Sequence, residues 1–215
     1  YTVVRNAVDP AVFDAATPDW FEREYGVKDF VLTVGLVEPR KNQVMLLHAL
    51  KDLSLPVVVI GRNYNRQYLR LCRRYAGTKK KTIFIEHLPH EMLASALKAA
   101  RVFALPSWME CASFALVEAA LAGCSLVVSD RTSEPEYFGD SAYQCDPASV
   151  ESIRDAVVRA YQSRATDAPK RARLQDLFRR QYTWRNAGLS TLEGYRKAIE
   201  ARGRVATLPS EALSL

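Results

Sequence analysis

Residues 102–129 read VFALPSWMECASFALVEAALAGCSLVVS. Two short apolar runs, Val102–Pro106 and Ser125–Ser129, flank a longer stretch of small and apolar residues, Phe114–Ala122, which is followed by Gly123. Continuous apolar runs of this kind are typical of strands buried in a parallel sheet, and a glycine often ends a helix. The segment therefore predicts a strand, a helix and a second, parallel strand.

The same alternation extends to both sides of this unit. Further strands are predicted at Phe30–Gly35, Pro56–Gly61, Thr82–Glu86 and Ala142–Cys145, and further helices at Asn42–Leu53, Tyr64–Tyr75 and Glu91–Ala100. Strands that alternate with helices indicate an α/β fold with a doubly wound parallel sheet, Rossmann-like in class. Beyond the last strand, the pattern predicts extra C-terminal helices at Val150–Ser163, Ala168–Gln181 and Trp184–Arg202.

This pattern divides the chain into three parts. We expect residues 1–29 to be an irregular lead-in, residues 30–202 to form the Rossmann-like domain and residues 203–215 to be a flexible tail. Because the sequence begins with Tyr1 rather than Met, we also expect it to be part of a longer chain.

The composition is that of an ordinary globular protein, with 215 residues of which 48% are hydrophobic and 25% charged. No stretch supplies the roughly 18 to 20 apolar residues that a membrane-spanning helix needs, and no secretion signal is seen, so we expect a cytoplasmic protein. The four cysteines lack metal-binding spacing and are expected to be reduced. A net charge of +6 suits nucleic acid, an anionic membrane surface or a phosphorylated small molecule, and does not choose among them.

The loop after the first predicted strand reads GLVEPRKN and places two cations, Arg40 and Lys41, before a helix that Asn42 can cap. A helix N-terminus beside two cations favours an anion. The guanidinium grips phosphate oxygens in a bidentate way, and the ammonium acts as a point charge. The alternative is a solvated pair of cations on a turn.

The loop of the central unit contains Glu110 and Glu118, separated by seven residues. Because parallel strands end at one edge of a sheet, and Ser113 is a candidate helix cap, both carboxylates can face one cleft there. A carboxylate accepts hydrogen bonds from the vicinal hydroxyls of a sugar, and the free amides of residues 111–113 are directed at an anion. The alternative is that both glutamates are ordinary surface charges.

At these residues the sequence resembles a known family. The motifs GLVEPRKN, VVVIG, ALPSWMECASFALVEAALAG, VVSD and EPEYFGD, in this order, are similar to the C-terminal, donor-binding half of the GT-B retaining glycosyltransferases of family 4, also called glycosyltransferase group 1. The stretches VVRNAVDPAVF and RRQYTWRNAGLSTLEGYR resemble the segments that enter and close this half. The resemblance therefore extends to about Arg202.

The resemblance implies a site for a nucleoside-diphosphate sugar. Arg40 and Lys41 would hold the diphosphate and stabilise its charge as it departs. Glu110 would bind the donor sugar together with the backbone of the residues that follow it, Cys111, Ala112 and Ser113.

The nucleoside would lie beside these groups. Glu118 would bind the ribose hydroxyls, and Gly35, Arg62 and His87 would border the nucleotide. Two departures from the family pattern are present: Leu36 stands where an arginine is frequent, and CAS replaces a glycine-rich stretch.

The implied reaction is transfer of a sugar, with retention, from GDP-mannose or a UDP-sugar to a polysaccharide or lipid-linked glycan, as in lipopolysaccharide synthesis. No D-x-D pair occurs in the sequence, so neither a metal nor another cofactor is expected. Family members also have an N-terminal half that binds the acceptor. Because that half is absent from this sequence, we expect the chain alone to bind nucleotide but to turn over slowly or not at all.

Other partners are suggested by the same residues. Arginines recur at helical spacing at positions 62, 66, 70, 73 and 74, and could attract anionic lipid at the inner face of a membrane or form a solvated helix face. No nucleic-acid partner is expected, since no basic groove with interleaved aromatics is seen. The alternative function is a non-catalytic Rossmann-like module that binds a nucleotide or a partner protein in the same cleft. The sequence pattern indicates no function for His90.

Overall fold

The structure is a computed structural model that describes residues 2–77, 82–111 and 113–206, without the side chains of residues 203–206. One six-stranded sheet lies at its centre, with the order β3-β2-β1-β4-β5-β6 and every pair parallel. The strands are β1 (Phe30–Val34), β2 (Val57–Ile60), β3 (Thr82–Ile85), β4 (Ala100–Leu105), β5 (Ser125–Ser129) and β6 (Ala142–Cys145). The predicted doubly wound parallel sheet is confirmed.

Helices cover both faces of the sheet. They are α1 (Pro10–Ala15), α2 (Asp19–Tyr25), α3 (Gln43–Leu50), α4 (Arg66–Ala76), α5 (His90–Ala99), α6 (Phe114–Ala122), α7 (Glu134–Phe138), α8 (Val150–Gln162), α9 (Ala168–Gln181) and α10 (Trp184–Ala206). Two 3-10 turns lie at Pro39–Lys41 and Gly139–Ser141.

The sheet separates two hydrophobic cores, because successive side chains of a strand point to opposite faces. One core packs Phe30, Leu32 and Phe103 against α1, α2, α5, α6 and α9. The other packs Val31 and Val59 against α3, α4 and α8. Burial on both faces explains why the strands are continuously apolar in sequence.

The expectation that residues 1–29 are irregular is wrong, because this segment contains α1 and α2. Asp9 caps α1 by accepting a hydrogen bond from the amide of Ala11. Phe13 and Phe21 are fully buried, and the amide of Phe21 donates to Ser95 Oγ on α5. These short helices are stabilised by tertiary contacts, which their own sequences do not show.

Two further segments are helical. Residues around Pro135 form α7, since a proline fits the first turn of a helix. Helix α10 continues to Ala206, so the first part of the expected tail is helical, and residues 207–215 lie outside the described residues.

Burial also defines the state of the cysteines. Cys72, Cys124 and Cys145 are buried, and burial raises the pKa of each thiol to about 12, whereas Cys111 is exposed.

Within the described ranges, every helix is too short or too polar to serve as a membrane-spanning segment.

Candidate functional site

The candidate site lies where the winding of the sheet reverses, between β1 and β4. From β1 the chain builds β2 and β3 on one side, and from β4 it builds β5 and β6 on the other. The loops that follow β1 and β4 therefore diverge and leave a crevice at the carboxyl edge, which is the usual ligand site of open α/β sheets.

Two glycines allow the backbone to pack closely at this edge. Gly35, directly after β1, has a φ of +143°, and a Cβ placed on it would lie 3.2 Å from Lys41 Cε. A Cβ on Gly61, after β2, would lie only 1.8 Å from the carbonyl oxygen of Gly35. A side chain at position 61 would therefore push apart the ends of β1 and β2.

Asn42 connects three loops of the carboxyl edge. It is buried, has a left-handed backbone with a φ of 60°, and donates from Nδ2 to the carbonyls of Pro106 and Pro147, both at 2.9 Å. We expected its side chain to cap α3; it occupies the N-cap position but makes no cap hydrogen bond. A capping side chain accepts through its oxygen from an extended backbone position, whereas Asn42 has a left-handed backbone and its side chain is directed at the two carbonyls through Nδ2. Asn42 thus fixes the loop that presents Arg40 and Lys41.

Lys41 and Glu110 form the centre of the site. Lys41 Nζ lies 2.5 Å from Glu110 Oε1, and the two side chains are only 11% and 7% exposed. Charges removed from water in this way are stable only when paired, so each fixes the other. The ammonium of the β1 loop and the carboxylate of the β4 loop meet across the crevice.

Arg40 extends the positive charge towards solvent. Its Nη1 donates to the carbonyl of Met109 at 3.0 Å and lies 3.4 Å from Glu110 Oε1, while its Nη2 lies 2.8 Å from Glu38 Oε1. Its backbone carbonyl accepts from the amide of Trp108 at 2.9 Å. The Arg40 side chain is 43% exposed and so remains accessible to an anion.

Glu118 lies on α6 beside α5. Its Oε1 is 3.0 Å from Nε2 of His90, the first residue of α5. Burial raises the pKa of the Glu118 carboxyl, and the hydrogen bond and charge of His90 act in the opposite direction. His90 is a neighbour that sequence reasoning missed, because the pairing brings together two helices whose contact the sequence does not show.

Glu134, at the start of α7, is a second missed residue. Its side chain is 1% exposed, Oε1 accepts from the amide of Ser113 at 3.3 Å, and buried Oε2 has no hydrogen-bond partner among the described residues. Ser133 Oγ, beside it, donates to the carbonyl of Glu110 at 3.4 Å. The only sequence signal for Glu134 is its place in the segment after β5, which ends at the same edge of the sheet as the other site residues.

The remaining predicted residues have different surroundings. Ser113 stands at the N-cap of α6, but its hydroxyl makes no cap hydrogen bond, so the expected cap is wrong. Arg62, His87 and Cys111 are exposed, in the segments that follow β2, β3 and β4. Ala112 lies outside the described residues.

Some expected neighbours are not brought into contact. Within the described chain, no hydrogen bond or ion pair links Glu118 to Glu110 or Lys41.

A cavity of about 290 Å³ lies at the ends of β2 and β3. The residues that line it, Arg73 and Glu86 among them, are not the predicted site residues. No group of three or more His, Cys, Asp or Glu within the described residues could hold a metal ion.

Fold and site together define a Rossmann-like α/β domain with paired cations and carboxylates at the reversal point of its sheet. Residues 18–177 match the family model for glycosyl transferases group 1. The chain therefore belongs to the glycosyltransferase group 1 family, as the sequence motifs predicted.

Individual relatives agree with this assignment. The chain is 31% identical over 178 residues to O-antigen chain mannosyltransferase B of Escherichia coli, a match covering 78% of this chain and 45% of that protein. It is 28% identical over 204 residues to glycogen synthase of Mycobacterium tuberculosis, covering 90% of this chain and 48% of that protein. The chain thus spans less than half the length of these two relatives.

A solved structure confirms the architecture. Sucrose-phosphate synthase from Thermosynechococcus elongatus superposes with a TM-score of 0.80 at 18% sequence identity, over 92% of this chain and 52% of that one. This similarity supports the prediction that the chain has the fold of one half of a GT-B glycosyltransferase.

Proposed function

We propose that this chain is the donor-binding part of a retaining glycosyltransferase. It would bind a nucleoside-diphosphate sugar and present the sugar to a polysaccharide or lipid-linked glycan acceptor. The observation that supports this most strongly is the meeting of Arg40, Lys41 and Glu110 at the reversal point of the sheet. A non-catalytic module has no need for a buried ion pair next to an exposed guanidinium.

In the proposed reaction, negative charge develops on the departing diphosphate. Arg40 and Lys41 would stabilise it, since fixed cations in a partly buried site act more strongly than cations in water. Glu110 already orients the Lys41 ammonium, so no further free energy is needed to order this side chain when the reaction occurs. Glu110 has a second oxygen and would use it for the sugar hydroxyls.

The nucleoside would extend from the diphosphate towards α5 and α6. Glu118 would accept hydrogen bonds from the ribose hydroxyls, because a buried carboxylate is a strong acceptor. Arg62 and His87 are exposed after β2 and β3, where they could border the base, and Gly35 would let the backbone approach the phosphates. The amide of Cys111 would complete the proposed sugar contact, because that of Ser113 donates to Glu134 Oε1.

Donor and acceptor are proposed from the relatives. The names of several matched Escherichia coli proteins identify them as mannosyltransferases, which favours GDP-mannose over a UDP-sugar and a surface polysaccharide such as an O-antigen as product. The match covers only 45% of the first of these relatives, which supports the proposal that a further, N-terminal half supplies the acceptor site. The chain alone would then bind donor with little turnover, and neither metal nor cofactor would be required, since the sequence has no D-x-D pair.

We also propose that the protein acts in the cytoplasm with peripheral contact to a membrane. The exposed side of α4 presents Arg66, Arg70, Arg73 and Arg74, and the helix has no acidic residue. Such a stripe suits an anionic lipid surface.

Isothermal titration of the chain with GDP, UDP and ADP tests the donor site, with Lys41→Ala and Glu118→Ala as variants. Losing a hydrogen bond to a charged group costs about 1.5–3 kcal/mol, so one nucleotide should bind and each variant should weaken it about 10- to 100-fold. The matched control is Lys51→Ala, which removes an exposed lysine whose ammonium contacts His48. Equal affinity for all variants, or no binding, would favour the non-catalytic module.

A further inference from the structure

The pairing of Glu118 with His90 leaves one carboxylate oxygen for a ligand. A carboxylate only accepts hydrogen bonds, so the imidazole donates from Nε2 to Oε1, at 3.0 Å. Among the described residues, no donor reaches the other oxygen, Oε2. The side chain of Glu118 is 15% exposed, so this oxygen has limited access to water.

The imidazole of His90 is itself held in place. The ring of Phe13, which is buried in the core, packs edge-on against it with centroids 5.9 Å apart and an angle of 86° between the planes. Pro89 precedes His90 and α5 begins there, which fixes the backbone as well. The His90 side chain is 50% exposed, and its ring thus packs on α1 with one side and directs a hydrogen bond to α6.

We infer that His90 is a positioning residue: it holds the Glu118 carboxylate in the orientation that binds the ribose hydroxyls of the donor nucleotide. This inference rests on the proposed function of the site. Without the hydrogen bond, the Glu118 side chain samples other rotamers, and a ligand has to order it on binding. His90 touches no reacting atom, and its effect therefore depends on the presence of ribose hydroxyls.

That dependence gives the test. Binding of GDP and of 2′,3′-dideoxy-GDP is measured by isothermal titration for the unsubstituted chain, His90→Ala and His90→Gln, with the corresponding UDP and ADP pairs run in parallel. Glutamine restores an N–H donor of similar reach. The matched control is His48→Ala, because His48 packs on Tyr75 of α4 away from Glu118.

We expect His90→Ala to weaken GDP binding about 10-fold and to leave the dideoxy nucleotide unchanged, and His90→Gln to regain most of the loss. Equal weakening of both nucleotides would show a merely structural role and overturn the inference, as would no weakening of either. If the unsubstituted chain binds none of the nucleotides, the proposed function fails and the inference fails with it. If it binds GDP and dideoxy-GDP equally, only the ribose role of Glu118 and His90 is overturned.

Discussion

Replacing Asn42 should separate two contributions to the stability of the site loop. Asn42→Ala removes the donors of two buried carbonyls, Pro106 and Pro147, and places a Cβ-bearing residue without a polar side chain at a φ of 60°. Asn42→Gly removes the same donors, but glycine adopts this backbone freely. The difference between the variants therefore reports the backbone contribution alone.

The magnitudes follow from these contacts. Leaving a buried carbonyl without a partner costs about 1–3 kcal/mol, so the loss of both hydrogen bonds should lower the free energy of unfolding by about 3 kcal/mol in Asn42→Gly. The left-handed backbone adds about 1 kcal/mol for alanine, which gives about 4 kcal/mol in Asn42→Ala.

Urea unfolding followed by circular dichroism measures both values. With a slope of about 2 kcal/mol per molar urea, the midpoints should fall by about 1.5 M and 2 M. Asn63→Ala is the control, because the Asn63 side chain accepts an exposed turn hydrogen bond from the amide of Asn65. A loss below about 1 kcal/mol in Asn42→Ala, equal to that of the control, would refute the conclusion that Asn42 fastens the three loops together.

Three further predictions address other parts of the molecule. Gly61→Ala should lower the thermal unfolding midpoint strongly, since the new Cβ would lie 1.8 Å from a backbone oxygen. Gly188→Ala on α10 should be neutral or stabilising, because a Cβ at that position meets no atom within 4 Å. Equal effects of the two substitutions would contradict the close packing of β1 and β2. Burial raises the pKa of Glu118 above its ordinary value, so its contribution to the free energy of unfolding should decline as pH rises from the unfolded to the folded pKa. Glu118→Gln should remove that decline in urea titrations at pH 4 to 8. An unchanged pH profile in this variant would count against a raised pKa of Glu118. In low salt, the chain should co-sediment with vesicles that contain anionic phospholipid and not with vesicles of neutral phospholipid. The double variant Arg70→Glu with Arg74→Glu on α4 should abolish this binding, whereas Arg173→Glu with Arg180→Glu on α9 should not. Binding that survives the reversal of charge on α4 would exclude that surface.

The fold could be predicted from sequence because its strands are buried on both faces. A run such as VVVI at residues 57–60 has few alternatives to a central parallel strand. The short helices α1 and α2 could not be predicted in this way. Their stability comes from contacts such as the packing of Phe21 on Tyr25 and Phe30, at centroid distances of 4.6 and 5.2 Å.

The site was predictable in part. The topology rule places the loops after β1 and β4 at one edge, and Lys41 does contact Glu110 there. The partners of Asn42, Glu118 and Glu134 lie 64, 105, 28 and 21 residues away in sequence, and the topology rule did not identify them. Such contacts depend on how the loops fold back over the sheet, which local propensity does not determine.

The central claim, that a nucleoside diphosphate binds at the reversal point of the sheet, is tested most directly by a crystal structure of the chain with the best-binding of GDP, UDP and ADP. We predict the diphosphate within hydrogen-bond distance of Arg40 and Lys41, and the ribose hydroxyls within hydrogen-bond distance of Glu118. A nucleotide found instead in the cavity beside Arg73, or away from Lys41 altogether, would contradict it.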